Sequence, residues 1–436
     1  MTALALGVIV LLFILLFIGI PVGFTLVIVG VIGVSLYCGV EGGIGTIATS
    51  FWSENTSEVL VVIPLFLLMA FAILGSGVSA YLYDFLKKWL HRLPGSLGIS
   101  NVVACAILGA IQAFSGITLM TLTPVAYPQM LRSGYDKRFS LGILSGACTL
   151  GTIIPPSIPM VIFGIVTEQS IGKLLIAGIL PGIVLGVLYA VFVAVTAIWR
   201  PNIVPPLHER PSWSERMQLA RKVWPVLFLL IGIVAVIYMG LASINEAAAV
   251  GAILSIILWV GFKRRRFVKD FFPESERTVS YTSMVMLILT GALIVQRFFA
   301  LSGLAESMSD FMIGLHLSPW GVVICIQLLL VLAGMFLPDL AIIVLLVPIV
   351  FPIIVQLGFD PIWFGVVVMV NLQLGVMTPP FGFNLFLLPA ILKEEGVTYE
   401  DALKGSIPFM FVHIVGLILI MLFPKISLLL PSMMKF

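Results

Sequence analysis

Charged residues are scarce in this sequence. Asp, Glu, Lys and Arg make up 10% of its 436 residues, 61% are hydrophobic, and the mean hydropathy is +1.20. That composition excludes a soluble core of this size, and no stretch is polar enough to fold apart from the rest, so residues 1–436 read as one membrane domain. Cysteine is scarcer still. Cys38, Cys105, Cys148 and Cys325 stand singly in apolar segments without metal-ligand spacing, which casts them as small buried hydrophobes. The four histidines are dispersed and no Ser/His/Asp set is apparent, which argues against a membrane enzyme or protease. A phosphate loop with Gly-Lys-Ser/Thr is missing, so the chain does not hydrolyse ATP itself. A net charge of +3 says little as a total, and nucleic-acid binding has no support in it. Basic residues are also missing ahead of Lys87. The apolar run from Leu4 to Ile20 lacks the basic start of a cleavable signal peptide, and the first spans are expected to stay in the mature protein.

What the chain has in abundance is apolar stretches long enough for roughly 30 Å of hydrocarbon. Between them the basic residues fall into five clusters: 87–92, 132–138, 200–222, 263–277 and 393–404, holding 19 of the 23 Lys and Arg. Placing all five on the cytoplasmic face satisfies the positive-inside rule. Glu41, Glu54, Glu58, Glu168, Glu306, Asp310 and Asp360 then collect on the other face, as do both termini, which are expected in the periplasm. The apolar segment between Arg92 and Arg132 must leave and return to one face, so it is predicted to be a hairpin with its tip at Gln112–Thr118. Irregular backbone at that depth survives only where protein or water satisfies it. Phe139–Val166 should cross outward, Ile171–Trp199 return, and Trp224–Gly240, Glu246–Phe262 and Tyr281–Leu301 follow. Pro319–Leu357, flanked by acidic loops, is predicted to be a second hairpin, entered from outside. Phe364–Leu392 and Ile407–Pro424 complete the path.

The hairpin regions superimpose on each other in sequence with a constant shift of 224. Pro124, Pro128, Gly134, Asp136, Gly151, Pro155 and Pro156 meet Pro348, Pro352, Gly358, Asp360, Gly375, Pro379 and Pro380. A shift of 227 pairs Glu168, Gly178 and Pro181 with Glu395, Gly405 and Pro408. This is a duplication: residues 59–199 form a first repeat and 281–432 a second, joined by a cytoplasmic linker and connecting spans over 200–280. With hairpins entered from opposite faces the halves are inverted, the arrangement of many secondary transporters. The expected fold class is therefore an all-α polytopic membrane protein of two inverted repeats, each with a re-entrant helical hairpin and a proline-broken transmembrane helix.

Each repeat breaks a crossing helix at Gly-x-x-x-Pro-Pro, in Gly151-Thr152-Ile153-Ile154-Pro155-Pro156-Ser157 and Gly375-Val376-Met377-Thr378-Pro379-Pro380-Phe381. Proline donates no backbone hydrogen bond and disfavours helix at the residue before it. Carbonyls freed at one half-helix end suit Na⁺, and the positive end of the other suits a carboxylate. A single Pro-Pro would read as a kink, but two symmetric breaks facing two hairpin tips read as a site. Ser115, Thr118, Gly151 and Thr152 are the ion-binding candidates of the first half, with Gly334, Gly375 and Thr378 in the second; Ser157, Asn371, Asn384 and Asp339 are the candidates for substrate. Asp339, the acid inside the second hairpin, must be paired or solvated. It serves either cation binding and gating or capping of a short helix. Arg297 either snorkels to the interface or attracts an anion. Glu246 suits the positive start of a helix.

These residues resemble the large membrane subunit of tripartite ATP-independent periplasmic (TRAP) transporters, the DctM type, over essentially the full chain. The resemblance rests on Gly19-Ile20-Pro21-Val22-Gly23-Phe24, Ile63-Pro64-Leu65-Phe66, Arg132-Ser133-Gly134-Tyr135-Asp136, Ile153-Ile154-Pro155-Pro156-Ser157-Ile158-Pro159, Glu246-Ala247-Ala248-Ala249-Val250-Gly251-Ala252 and Thr378-Pro379-Pro380-Phe381-Gly382-Phe383-Asn384-Leu385-Phe386. It implies Na⁺-coupled, elevator-like import of an organic acid across a bacterial inner membrane, with a small four-span permease subunit, a periplasmic solute-binding protein as partner, and no cofactor beyond the coupling ion. It also adds Pro155 and Pro379 to the ion sites. Two positions depart from the family pattern: Ile117 where the first tip usually has a second serine, and Pro338 where an acid is common, with Asp339 one place later. A stand-alone Na⁺/organic anion symporter of related inverted-repeat fold is the alternative reading, and a passive channel a more distant one.

Overall fold

A computed structural model of the chain describes residues 2–206, 211–263, 267–304 and 317–434. Its regular elements are all helical, with no strand among the described residues. Eight helices are long and apolar enough to cross a bilayer, or nine if the bent pair Lys137–Ile153 and Ile158–Val166 forms one span. The recurring apolar runs of hydrocarbon length had pointed to this all-helical polytopic architecture. Arg210, Arg264, Arg265, Arg266, Glu306, Asp310 and the side chain of Glu54, used above for topology, lie outside the described residues.

One group of helices packs through small residues. It comprises α1 (Thr2–Phe17), α2 (Val22–Asn55), α3 (Val62–Ser76), α4 (Val78–Trp89), α12 (Trp213–Met239), α13 (Ile244–Lys263) and α14 (Phe267–Ser302). Along α2, Gly23 faces Leu287, Gly30 faces Ile294 and Gly33 faces Phe298 of α14. The partner numbers rise together, so the two helices run in the same direction, and the missing side chains let the backbones close up. Gly75 against Trp259 and Met69 against Gly251 give α3 and α13 the same parallel relation.

The second group holds the repeated elements. In the first half these are α5 (Ser96–Gln112), α6 (Ser115–Arg132), α7 (Lys137–Ala147), α8 (Leu150–Ile153), α9 (Ile158–Val166), α10 (Ile171–Ala177) and α11 (Ile179–Trp199). The second half contributes α15 (Pro319–Gly334), α16 (Asp339–Gln356), α17 (Pro361–Gly375), α18 (Phe383–Ile391), α19 (Tyr399–Leu422) and α20 (Lys425–Ser432). Helices α5 and α6 pack against each other as a hairpin, as do α15 and α16. Their arms of 16 to 18 residues measure about 24–27 Å at 1.5 Å per residue; the entering arms α5 and α15 are too short to count among the eight spans, whereas α16 is one of them.

Positions paired by the shift of 224 adopt the same local structure. Gly134 and Gly358 both turn the chain with positive φ, +82° and +81°. Two residues later Asp136 accepts a bond from Phe139 N–H at 2.9 Å and Asp360 from Trp363 N–H at 3.0 Å, each capping the helix that leads to the break. Both Pro-Pro bonds are cis.

The basic clusters meet at one end of the molecule. Lys88 pairs with Glu215 at 2.9 Å, Asp136 N–H donates to Ile203 C=O at 2.9 Å, and Lys137 pairs with Asp401 at 2.8 Å. Tyr81 receives the Lys222 ammonium over its ring and stacks on Phe262, beside the end of α13. Three expectations need correction. Cys38 and Cys325 are exposed, on helix faces that turn outward where lipid would lie, so only Cys105 and Cys148 are buried. The clusters 200–222 and 263–277 are not simple loops but run into helices, because α12 starts at Trp213 and α14 at Phe267. The boundary at 280/281 falls inside α14, which runs on to Ser302 without a break.

Candidate functional site

The site begins with two contacts between backbones. A Cβ placed on Gly109 of α5 would lie 2.2 Å from the Gly151 Cα, and one placed on Gly334 of α15 would lie 3.0 Å from the Gly375 Cα. In each half a glycine of the entering hairpin arm thus presses against the glycine that opens the helix break. A second contact locks the tip. Ile158 N–H, just past the first break, donates to Ala113 C=O at 3.3 Å, and Gly382 N–H, 224 positions on, donates to Met335 C=O at 3.3 Å. The halves then interlock: α9 packs on α16, and α18 packs on α6.

In the first half Thr118 sits beside the Gly109–Gly151 contact and donates to Phe114 C=O at 3.2 Å. Ser115 opens α6 with its hydroxyl in no hydrogen bond among the described residues. Thr152 is fully buried and its hydroxyl has no partner among the described residues. Ser157 is committed locally, donating to Thr152 C=O at 2.5 Å and accepting from Met160 N–H at 3.4 Å, so it closes the break and caps α9. Pro155 lies in the non-helical turn between α8 and α9.

In the second half Thr378 donates to Leu374 C=O at 2.6 Å, and Pro379 lies in the non-helical stretch before α18. Asp339 is buried at the start of α16. One of its oxygens accepts from Gln373 Nε2 at 2.6 Å, and the other has no side-chain partner among the described residues. Asn371 donates to Gln327 C=O at 2.9 Å. Asn384 donates to Ser145 C=O at 3.1 Å and so ties the second half to the first.

An aromatic cavity of about 710 Å³ separates the two helix groups. Phe114 from the first tip, Met335 to Pro338 from the second, and Phe381, Phe383 and Phe386 beyond the second break line one side; Val22, Phe24, Tyr281, Ser283 and Leu287 line the other. None of Ser157, Asn371, Asn384 and Asp339 is in that lining. Asn371 and Thr378 border a different, lipid-side crevice of about 640 Å³ between α15, α17 and α19. Arg297 donates to Thr49 at 2.8 Å on the neighbouring α2. Glu246 accepts from Ser243 N–H at 2.7 Å while Ser243 Oγ accepts from Glu246 N–H at 3.2 Å, a reciprocal capping box.

Sequence reasoning missed Gly109, the two glutamines and the phenylalanines of the cavity. Gly109 escaped because the first hairpin has one more residue at its tip: Gly109 precedes Ser115 by six, Gly334 precedes Asp339 by five. A shift of 225 on the entering arm pairs the two glycines, and the shift of 224 pairs Ser115 with Asp339. The chemistry on offer is hard oxygen: carbonyls at the breaks, hydroxyls, and one buried carboxylate. No cluster of three His, Cys, Asp or Glu occurs among the described residues.

A polytopic helical protein with paired hairpins and paired helix breaks has the fold of a membrane transporter. Two solved transporters share it: YdaH of Alcanivorax borkumensis, with a TM-score of 0.58 and 13% identity over 89% of both chains, and MtrF of Neisseria gonorrhoeae, with 0.58 and 12% over 89% of this chain and 84% of that one. Residues 9–426 match the family described as tripartite ATP-independent periplasmic transporter, DctM component, and the chain belongs to that family. Among its relatives, the C4-dicarboxylate TRAP transporter large permease DctM of Pseudomonas aeruginosa is 33% identical over 89% of each chain. The ectoine large permease TeaC of Halomonas elongata is 30% identical over 96% of this chain and 97% of that one. The sialic acid large permease SiaM of Vibrio cholerae is 27% identical over 96% of each.

Proposed function

We propose that this chain is the membrane subunit through which a Na⁺ gradient drives uptake of an organic acid across a bacterial inner membrane. The observation that carries the proposal is the doubled contact, Gly109 on Gly151 and Gly334 on Gly375, each beside a helix break with underused oxygens. Ion sites then lie at Ser115, Thr118, Gly151, Thr152 and Pro155, and at Gly334, Gly375, Thr378 and Pro379. Hydroxyl and carbonyl oxygen match the ligand preference of a hard monovalent cation. Asp339 places a negative charge, or a proton, within the second of these sites.

The substrate occupies the aromatic cavity between the helix groups, with its carboxylate toward the positive end of the α18 dipole. Dicarboxylate, ectoine and sialic acid, the substrates in the relatives' names, share a carboxylate, which supports the class. Of the side chains first assigned to substrate, Ser157, Asn371, Asn384 and Asp339 act from behind the cavity wall by holding breaks and tips in place. Movement of the repeated helices against the α2–α14 group carries the cavity between the two faces. The two inverted halves give that movement its two end points. The convergence of the basic clusters at one end supports a cytoplasmic placement of that end and periplasmic termini. A small four-span subunit and a periplasmic solute-binding protein complete the transporter.

The test is uptake into proteoliposomes holding this chain with its small partner, with and without the binding protein outside and with and without an inward Na⁺ gradient. Uptake that needs both is the expected result. Na⁺-driven uptake without binding protein would establish the stand-alone symporter instead, and conductance without coupling would establish a channel.

A further inference from the structure

A crevice of about 470 Å³ opens at the basic end of the molecule, between α7, α11 and α19, away from the transport cavity. Its rim carries Arg138, Arg200 and Lys404, and its wall is Phe139, Phe192 and Val195, with Trp199 at the mouth. We infer that this crevice binds one anionic phospholipid of the cytoplasmic leaflet, its phosphate on the three cations and an acyl chain along α11.

Charge sets the head of the site. Arg138 is paired with Asp401 at 3.3 Å and Lys404 with Glu400, so each is held in position by an acid on α19 that also leaves part of its donor set open. Arg200 has no partner among the described residues, and it is exposed. The acid in the lining, Asp136, is committed to capping α7 through Phe139 N–H. A guanidinium beside a second guanidinium and an ammonium offers the geometry that phosphate oxygens take.

Depth sets the tail. Helix α11 ends at Trp199, and Val191, Val195, Ile198 and Trp199 are 52%, 38%, 64% and 81% exposed on its outer surface. Such a face is stable only against hydrocarbon, and a tryptophan followed by an arginine is the pattern of a span that stops at the headgroup level. A free phosphate would leave the Phe192–Val195 wall uncovered, whereas a phospholipid satisfies both ends at once. This basic crevice is set apart from the general basic surface by being concave and half apolar.

Native mass spectrometry of the full chain, released from vesicles of phosphatidylcholine with and without phosphatidylglycerol, tests this. One retained phosphatidylglycerol in preference to phosphatidylcholine is expected. In R200Q/K404Q retention should fall about fivefold for each charge removed, the weight of a basic residue at an anionic surface. In R92Q/R221Q, which removes two exposed cations from the same end but outside the crevice, retention should be unchanged. Should R200Q/K404Q not fold, R200Q alone strands no partner and must show the fivefold loss. Equal retention of the two lipids, equal loss in both double variants, or full displacement by inorganic phosphate would each overturn the inference.

Discussion

Gly151 lies so close to Gly109 that a Cβ added to it would stand 2.6 Å from the Gly109 Cα, and both atoms are backbone. Neither side can yield by rotating a side chain. The same holds for Gly375 and Gly334, at 2.7 Å. These two contacts set how deeply each hairpin seats against its broken helix, and they define the geometry of the proposed ion sites.

Replacing Gly109 with alanine should therefore separate the first hairpin from its break. The expected cost is about 1–3 kcal/mol, the range for a forced insertion into close packing. Uptake of labelled substrate should fall with it, and Na⁺ activation should shift to higher concentration. Alanine at Gly232, where a Cβ would meet nothing within 4 Å, should be silent. Thermal unfolding and Na⁺ titration of uptake for both variants check this; equal behaviour would remove the contact from the site.

Asp339 and Gln373 form a buried pair at 2.6 Å, and the two substitutions at Asp339 separate charge from packing. Asparagine keeps a hydrogen-bond partner for Gln373 and removes the charge, so the protein should remain folded while Na⁺ activation weakens. Alanine also strands the glutamine amide, which costs about 1–3 kcal/mol more. Melting temperature and Na⁺ dependence should thus move independently in the two variants. A D339N protein with unchanged Na⁺ dependence would reduce Asp339 to a structural role.

The hydroxyls at the first tip and at the second break are not equivalent. Ser115 is uncommitted among the described residues, whereas Thr378 donates to Leu374 C=O at 2.6 Å and offers only its remaining lone pairs. Ser115→Ala is expected to raise the Na⁺ concentration for half-maximal uptake, with little change in melting temperature. Thr378→Ala should do the same more weakly, and serine at 378 should restore it. Two variants with wild-type Na⁺ titrations would take both hydroxyls out of the ion sites.

Much of the fold was legible in the residues because its determinants are local or periodic. Hydrocarbon-length apolar runs name the spans, and Lys and Arg clusters name one face. Gly134 and Asp136 before one broken helix, with Gly358 and Asp360 before the other, expose the duplication through turn and cap chemistry that needs no tertiary contact. The cavity was not legible. Phe114, Phe381 and Phe383 look like any other membrane phenylalanine until two hairpin tips and a break bring them to one wall. Polar residues misled for a related reason: Asn384 and Asp339 stand out in an apolar sequence, yet in a low-dielectric interior they are drawn to Ser145 and Gln373 rather than to the cavity.

What the sequence by itself determined was the class of protein, the repeats and the positions of the two breaks, since hydrophobic length, charge placement and proline act where they stand. Only the tertiary structure decided which glycine meets which break, which polar groups are free for an ion and which are spent on holding the halves together. Those outcomes depend on backbones approaching within van der Waals distance across segments about 40 residues apart, and a single extra residue at the first tip was enough to hide Gly109 from a constant shift.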